Sequence, residues 1–319
     1  MQHYDVFNGD ADGICALVQL RRAQPRDAVL VTGVKRDTSL LKQVNAGQGS
    51  QITVLDVSLD KNRSDLERLL AAGAEIFYCD HHFAGEIPQS ARLQTLINPA
   101  ADVCTSLLVN GHLQGAFPAW AVVGTFGDNL RDSALRLARP LGLTPEQLEQ
   151  LEQLGIYINY NGYGPALEDL HFSPADLYRL LSGYDDPFAF MTAEREHFQH
   201  LETGYREDMA AAAALAPEYR DAAAAVYLLP DAAWARRVSG VYGNDLANGD
   251  PDRAHAVVTA RADGNYLVSV RAPLHNKVGA DVLCREFPTG GGRAAAAGIN
   301  ELPAAQLPEF ITRIAAFYA

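Results

Sequence analysis

The sequence predicts an α/β protein with a larger N-terminal domain built on a parallel sheet with helices on both faces, a helical connector, and a smaller α/β C-terminal domain. Three observations carry that expectation. Short apolar runs alternate with helix-spaced segments through the first half, the pattern of repeated strand–helix units. From Leu143 to about Leu215 the pattern turns helical, and after Ala222 strand-like alternation returns. With 319 residues, 48% of them hydrophobic, the chain has enough apolar surface for two cores, and the expected divisions are 1–185, 186–221 and 222–319.

Taken in order, Tyr4 to Asn8 is a short apolar run, Gly13 to Ala23 has helical apolar spacing, Val29 to Gly33 reads as a strand and Leu40 to Ala46 as a helix. Gln51 to Val57 is a strand with Asp56 at its end, Ser58 to Ala72 has a helix's charge mix, and Glu75 to Cys79 is a strand leading into Asp80-His81-His82. Thr105 to Asn110 starts a helix. Trp120 to Phe126 is an apolar run that stops at Gly127-Asp128-Asn129, and it reads as a fourth strand end. Thr144-Pro145-Glu146 is a helix cap with proline at the first helical position, and Glu194 to Leu215 is interrupted only by Gly204. Between these helices, Asn159 to Pro165 reads either as a turn with surface tyrosines or as a loop that touches substrate.

In the last third, Ala224 to Leu229 is a strand and Asp245 to Ala247 begins a helix. His255 to Ala260 and Tyr266 to Val270 are strands about the turn Asp263-Gly264-Asn265, and Phe310 to Phe317 is a closing helix. Gly290-Gly291-Gly292-Arg293 precedes an alanine-rich stretch read as a helix. That placement offers an anion free amides and a close backbone; a plain flexible turn is the other reading.

Lys plus Arg number 26 against 39 Asp plus Glu, a formal net charge of −13, which argues against tight nonspecific binding to long nucleic acid. Cys15, Cys79, Cys104 and Cys284 lack metal-finger spacing and sit mostly in apolar runs, as buried thiols of a reducing compartment do. No apolar run reaches membrane-spanning length and no basic-then-apolar leader opens the chain, so a cytoplasmic protein without a membrane partner is expected.

The chemistry gathers in the first half. Asp10, Asp12, Asp56, His81 and Asp128 bring carboxylates and an imidazole to expected strand ends, the edge of an α/β sheet where ligands collect. Carboxylate oxygens suit a hard divalent ion, and a histidine among them shifts the expectation toward manganese or another first-row metal. Any one of these aspartates alone also reads as a helix cap. Together, like charges without a cation would repel one another and raise their pKa values, so the set reads as a metal centre.

Asp10-Ala11-Asp12-Gly13, Leu55-Asp56-Val57, Asp80-His81-His82 and Gly127-Asp128-Asn129 resemble the ordered motifs of the DHH phosphoesterase superfamily. Gly290-Gly291-Gly292-Arg293 resembles the glycine signature of its DHH-associated C-terminal domain. The resemblance implies that Asp10 binds one Mn²⁺ and that Asp12 and His81 bind the other. Asp56 then bridges the two ions and Asp128 completes the second site. Mg²⁺ and Co²⁺ are the alternative ions. It further implies that Asp80 orients a neighbouring histidine and that His82 faces the substrate phosphate. Two departures stand out: Val6 and Asn8 occupy positions where relatives carry a histidine or an aspartate, and Arg293 stands where the glycine signature ends in histidine.

The implied activity is metal-assisted hydrolysis, with Asp56, His82 and Asp80 as catalytic residues and a water activated between two ions. Arg271, Lys277, Gly291, Gly292 and Arg293 are expected to hold the far phosphate or nucleotide, although Arg271 also reads as an exposed sheet residue. The acidic composition favours a short substrate, a linear dinucleotide such as pGpG or a short oligonucleotide, cut to mononucleotides. A RecJ-like single-strand exonuclease and a 3′,5′-bisphosphate nucleotide phosphatase are the alternatives, and a non-catalytic nucleotide-binding regulator ranks below them. No long nucleic-acid partner is expected, and a homodimer is compatible with the sequence.

Overall fold

The computed structural model describes residues 2–319, which divide into two compact units, one ending at Tyr205 and the other spanning Arg206–Ala319. Among the described residues of the first unit, β1 (His3–Phe7), β2 (Val29–Val31), β3 (Gln51–Leu55), β4 (Glu75–Asp80) and β5 (Leu93–Ile97) form an all-parallel sheet in the order β2-β1-β3-β4-β5. Parallel strands demand crossovers, and the sequence supplies helices for them. These are α1 (Ala11–Ala23), α2 (Leu59–Ala71), α3 (Thr105–His112), α4 (Pro118–Gly127), α5 (Arg131–Ala138), α6 (Pro145–Asn161), α7 (Pro174–Leu181) and α8 (Pro187–Ala193). The long α9 (Arg195–Ala213) carries the chain into the second unit.

Alternation along the strands sorts their side chains to two faces. Phe7, Leu55 and Cys79 pack with α1 and the helices from α3 to α9, while Tyr4, Val6, Ile52, Val54, Ile76 and Tyr78 pack with α2 and a short 3-10 turn at Leu40–Gln43. Helices therefore cover both faces, as expected. The strands are near-continuous apolar runs because both faces are buried. Register is what matters for the site: Phe7 pairs with Leu55 and Leu55 with Cys79, so the next residues, Asn8, Asp56 and Asp80, emerge in a row at the carboxyl edge.

Several helices begin as their sequences predict. Thr144 and Gln147 form a reciprocal capping box at α6, and Ser173 and Asp186 cap α7 and α8, each followed by proline. Other expectations need correction. Trp120 to Phe126 is not a strand but most of α4, preceded by Pro118. Its residues are buried all round against α1, α5 and α6, and a helix buried on every side shows the same unbroken apolar run as a buried strand. Leu40 to Ala46 shortens to the 3-10 turn, and β5 was not anticipated because Leu93–Ile97 is an edge strand with partly exposed residues.

Among the described residues of the second unit, β6 (Tyr219–Arg220), β7 (Ala224–Leu229), β8 (Ala254–Ala260), β9 (Asn265–Arg271), β10 (Gly290–Arg293) and β11 (Ala296–Pro303) form a sheet in the order β10-β11-β9-β8-β7-β6, parallel only between β7 and β8. One face carries α11 (Ala280–Cys284) and α12 (Leu307–Tyr318), the other α10 (Ala233–Gly249). The helix expected to begin near Asp245 starts at Ala233 and is almost finished there. The alanine-rich stretch after Arg293 is strand β11, not a helix. Alanine favours helix only weakly, and pairing with both β9 and β10 overrides it. Gly290-Gly291-Gly292-Arg293 is thus an edge strand, and no helix amino terminus follows it.

Helix α4 reaches the site through a glycine contact. A Cβ on Gly127 would lie 2.3 Å from Ala11 Cβ and 2.8 Å from the Gly155 carbonyl oxygen, so α1, α4 and α6 meet there only because side chains are missing. Gly127→Val is expected to lower unfolding free energy by about 3 kcal/mol in urea denaturation, since overpacking a close crossing forces the helices apart.

Candidate metal centre

Asp10 ends the β1 loop as the N-cap of α1, its Oδ1 accepting the Gly13 amide at 3.1 Å. Asp12, in the first turn of α1, reaches across to the amino terminus of α3, where its two oxygens accept the amides of Thr105 at 2.7 Å and Ser106 at 2.6 Å. Those bonds satisfy free helix amides and hold the carboxylate rigid. Asp56 follows β3 with φ at 59°, a left-handed conformation uncommon outside glycine. That backbone turn sets the buried carboxylate among the other acids.

Asp80, the last residue of β4, is fully buried. Its Oδ1 accepts the His81 amide at 2.9 Å and pairs with His82 Nδ1 at 2.7 Å, which leaves Nε2 as the free ring nitrogen of His82. Asp128 stands at a helix end and not at the strand end expected from the sequence. It is the C-cap of α4, followed by Asn129 at φ 61°, with Asn129 N–H bonded to Phe126 O and Leu130 N–H to Thr125 O. This is a Schellman closure, and an aspartate there faces the negative end of the helix dipole.

These elements bring the predicted ligands together. His81 Nε2 lies 3.4 Å from Asp56 Oδ1, 3.7 Å from Asp128 Oδ2 and 3.9 Å from Asp12 Oδ2. Two groupings, Asp12-His81-Asp128 and Asp56-His81-His82, have the spacing of ligand atoms around one ion. Burial, with the neighbouring carboxylates, raises Asp56 well above the ordinary carboxylate range and pushes Asp128 up to about 8. The Asp80 hydrogen bond raises His82 despite its partial burial. An orphaned buried oxygen in the cavity lining, Asn8 Oδ1, and the carboxylates crowded on His81 Nε2 are arrangements that a bound cation would stabilise. The donor set of carboxylate oxygens and imidazole fits a divalent ion.

Asp10 touches Asp56 at the edge of that cluster, and its Oδ2 is ion-paired with Lys35 Nζ at 2.7 Å. Burial would raise Asp10, but Lys35 and the Gly13 amide more than offset this and hold it low. Lys35 escaped the sequence reading; it follows β2 with no motif around it, and only the fold brings it to Asp10. Of the stretch expected as a loop, Asn159–Asn161 is instead the last turn of α6, and it lies beside Lys35: Nζ bonds Asn159 Oδ1 at 2.7 Å and stands 5.6 Å from the Tyr163 ring just beyond the helix.

A cavity of about 380 Å³ opens over this floor, lined by Asp10, Asp56, Asp128, His81 and His82 with Lys35 and Lys61 at its sides. Phe83, at 73% exposure, belongs to the same lining. In the second unit, Arg271 bonds Asn244 Oδ1 at 2.7 Å, Ser269 Oγ at 2.9 Å and Gly240 O at 3.1 Å, which ties it to α10 and its own strand. Lys277 and Arg293 are exposed, and Gly291 leaves open space where a side chain would stand.

No protein-family model matches the chain, and no curated protein matches it by sequence. Solved structures do. An exonuclease RecJ bound to manganese aligns at TM-score 0.65 and 20% identity over 99% of this chain and 90% of its own. The chain has the fold of the DHH proteins. A RecJ from Thermus thermophilus in complex with Mn²⁺ aligns at TM-score 0.66 and 19% identity, the DHH-fold chain covering 52% of its length. The pGpG-specific phosphodiesterase PggH from Vibrio cholerae aligns at TM-score 0.59 and 17% identity over 99% of both chains.

Metal binding should be visible in stability. Adding Mn²⁺ to chelator-treated protein is expected to raise the thermal midpoint by about 5 °C when the free ion is well above its dissociation constant. Because the raised pKa of Asp128, about 8, keeps on its carboxyl a proton that an ion must displace, the rise should be larger at about pH 9 than at about pH 6. The metal-free protein should show the opposite trend, losing stability as pH climbs through the raised Asp128 pKa, since that group is protonated more readily folded than unfolded. A shift independent of pH would remove these carboxylates from the binding site.

Proposed function

We propose that this DHH-fold protein is a divalent-metal-dependent phosphodiesterase of the DHH phosphoesterase superfamily that hydrolyses short nucleotide substrates, such as linear dinucleotides, to mononucleotides. The observation that carries the reading is the convergence of Asp12, Asp56 and Asp128 on His81 Nε2 beneath an open cavity. Asp12, Asp56, His81 and Asp128 would hold the ion. Bound there, a divalent ion supplies a water of lowered pKa and offsets charge on the phosphoryl oxygens. Mn²⁺ is the ion we favour from the mixed oxygen and imidazole donors, with Mg²⁺ and Co²⁺ as substitutes.

The chain's own residues supply the rest. Asp80 holds the His82 ring through Nδ1 and favours its charged form, so His82 serves as a proton donor or a positive partner for the phosphate or leaving oxygen. Lys61 adds positive charge at the cavity's side. The exposed Phe83 ring offers a stacking face for a nucleobase, which favours a nucleotide over a bare phosphate ester. In this reading residues 1–185 are catalytic, 186–221 connect, and within 222–319 Arg271, Lys277, Gly291, Gly292 and Arg293 contact the nucleotide. The solved relatives named as an exonuclease and as a pGpG-specific phosphodiesterase support the class.

With Mn²⁺, hydrolysis of a 5′-phosphorylated dinucleotide should outpace that of a long single strand; equal rates would move the assignment to a processive exonuclease. His82→Ala should lower kcat by about 10²–10⁴-fold while leaving Mn²⁺ binding intact. Phe83→Ala should raise KM for the dinucleotide about tenfold with little change in kcat, as expected for a lost stacking partner. An unchanged KM would take Phe83 out of substrate recognition.

A further inference from the structure

Asp10 and Asp56 touch within one continuous acidic floor, and a lysine occupies its Asp10 end, which bears on how many ions it holds. Asp12, Asp56 and Asp128 face His81. Asp10 faces Lys35, with Oδ2 on the ammonium at 2.7 Å and Oδ1 on the Gly13 amide at 3.1 Å. The ammonium is fixed from several directions. Nζ donates to Asn159 Oδ1 at 2.7 Å, the Lys35 amide donates to Gly162 O at 2.8 Å, and the Lys35 carbonyl accepts Asn8 Nδ2 at 3.3 Å. Strand β1, the segment after β2 and the end of α6 thus all position one positive charge on one carboxylate.

We infer that Lys35 fills the place of a second metal ion, so that the centre holds a single divalent ion beside a built-in ammonium. This rests on the phosphodiesterase reading and departs from the two-ion expectation. A second divalent ion on Asp10 would have to share that carboxylate with an ammonium already in contact, and like charges at such spacing repel strongly in a partly desolvated site. Asp56 touches Asp10 but is shared with the His81 side, and the one further ligand there is weak. Asn8 Oδ1 is buried and lacks a hydrogen-bond partner, but it is a neutral amide oxygen and adds no charge to hold an ion against Lys35. The ammonium itself can do part of what the ion would do, since three N–H donors on a point charge suit a phosphate oxygen. It cannot lower the pKa of a bound water as a metal does, so the nucleophile is assigned to the Asp12-Asp56-His81-Asp128 side.

The test is metal stoichiometry, with the full chain stripped by chelator and dialysed against Mn²⁺ alone. Bound Mn²⁺ would be counted by elemental analysis, and coupling between ions read by electron paramagnetic resonance. The expected result is one Mn²⁺ per wild-type chain with an uncoupled spectrum, one in Lys35→Arg, and two with an exchange-coupled spectrum in Lys35→Met carrying Asn8→Asp. Two ions in the wild type would overturn the inference while leaving the phosphodiesterase reading intact, and so would one ion in the double variant with an unchanged thermal midpoint. If the double variant fails to fold, the wild-type and Lys35→Arg counts still decide. No bound Mn²⁺ in the wild type would overturn the metal centre itself, a different failure from that of the lysine.

Discussion

The structure depends on crowding buried carboxylates at one edge of a sheet. Asp10, Asp12, Asp56, Asp80 and Asp128 converge there, nearly all out of contact with solvent. Without compensation such a cluster would drive its members to bind protons or to move apart. The chain answers each charge in its own way. Asp12 is given helix amides, Asp80 an amide and an imidazole, and Asp10 an ammonium, while Asp56 and Asp128 are left with raised pKa values and an imidazole nearby. The two least compensated carboxylates are the ones best placed to take a metal ion.

Holding those groups requires rigidity on both sides of the edge. The parallel sheet aligns Asn8, Asp56 and Asp80 through its register, so no side chain there has to search for its place. The helices then bring the remaining groups to it. Helix α1 starts at the site because Asp10 caps it, α3 is docked on Asp12, and α4 ends on Asp128 through a left-handed Asn129. At the site, Asp56 and Asn129 are both held at positive φ although they carry side chains. Such strain persists only where the surroundings determine it, and for Asp56 those surroundings are two packed cores and a strand on either side.

The same economy explains why a single lysine matters. The phosphate-binding role proposed for the cavity needs positive charge, yet the whole protein is acidic at −13. Charge is therefore supplied locally, by Lys35, Lys61 and His82, and not by a basic surface. Substrates that present only a few phosphates suit that arrangement better than long polyanions, whose binding grows with the number of phosphates neutralised.

Much of this was legible in the residues. Asp10, Asp12, Asp56 and His81 could be placed because β1, β3 and β4 are short apolar runs closed by polar residues, a pattern local enough to survive without a structure. Asp128, expected at a strand end, stands at a helix end beside His81, because α4 is buried on all sides and loses the periodicity that separates helix from strand. The alanines after Arg293 misled for the opposite reason: their local preference is helical, and only pairing with β9 and β10 makes them a strand. Lys35 and Phe83 had no sequence signal at all. Their roles come from contacts with Asp10, Asn159 and the cavity, groups distant in the chain that only the folded sheet and helices bring within reach. By itself the sequence determined the chemistry available, since ligand types and strand-end placement are local properties. The tertiary structure decided how that chemistry is divided, since charge pairing across the chain depends on distances that no local pattern encodes.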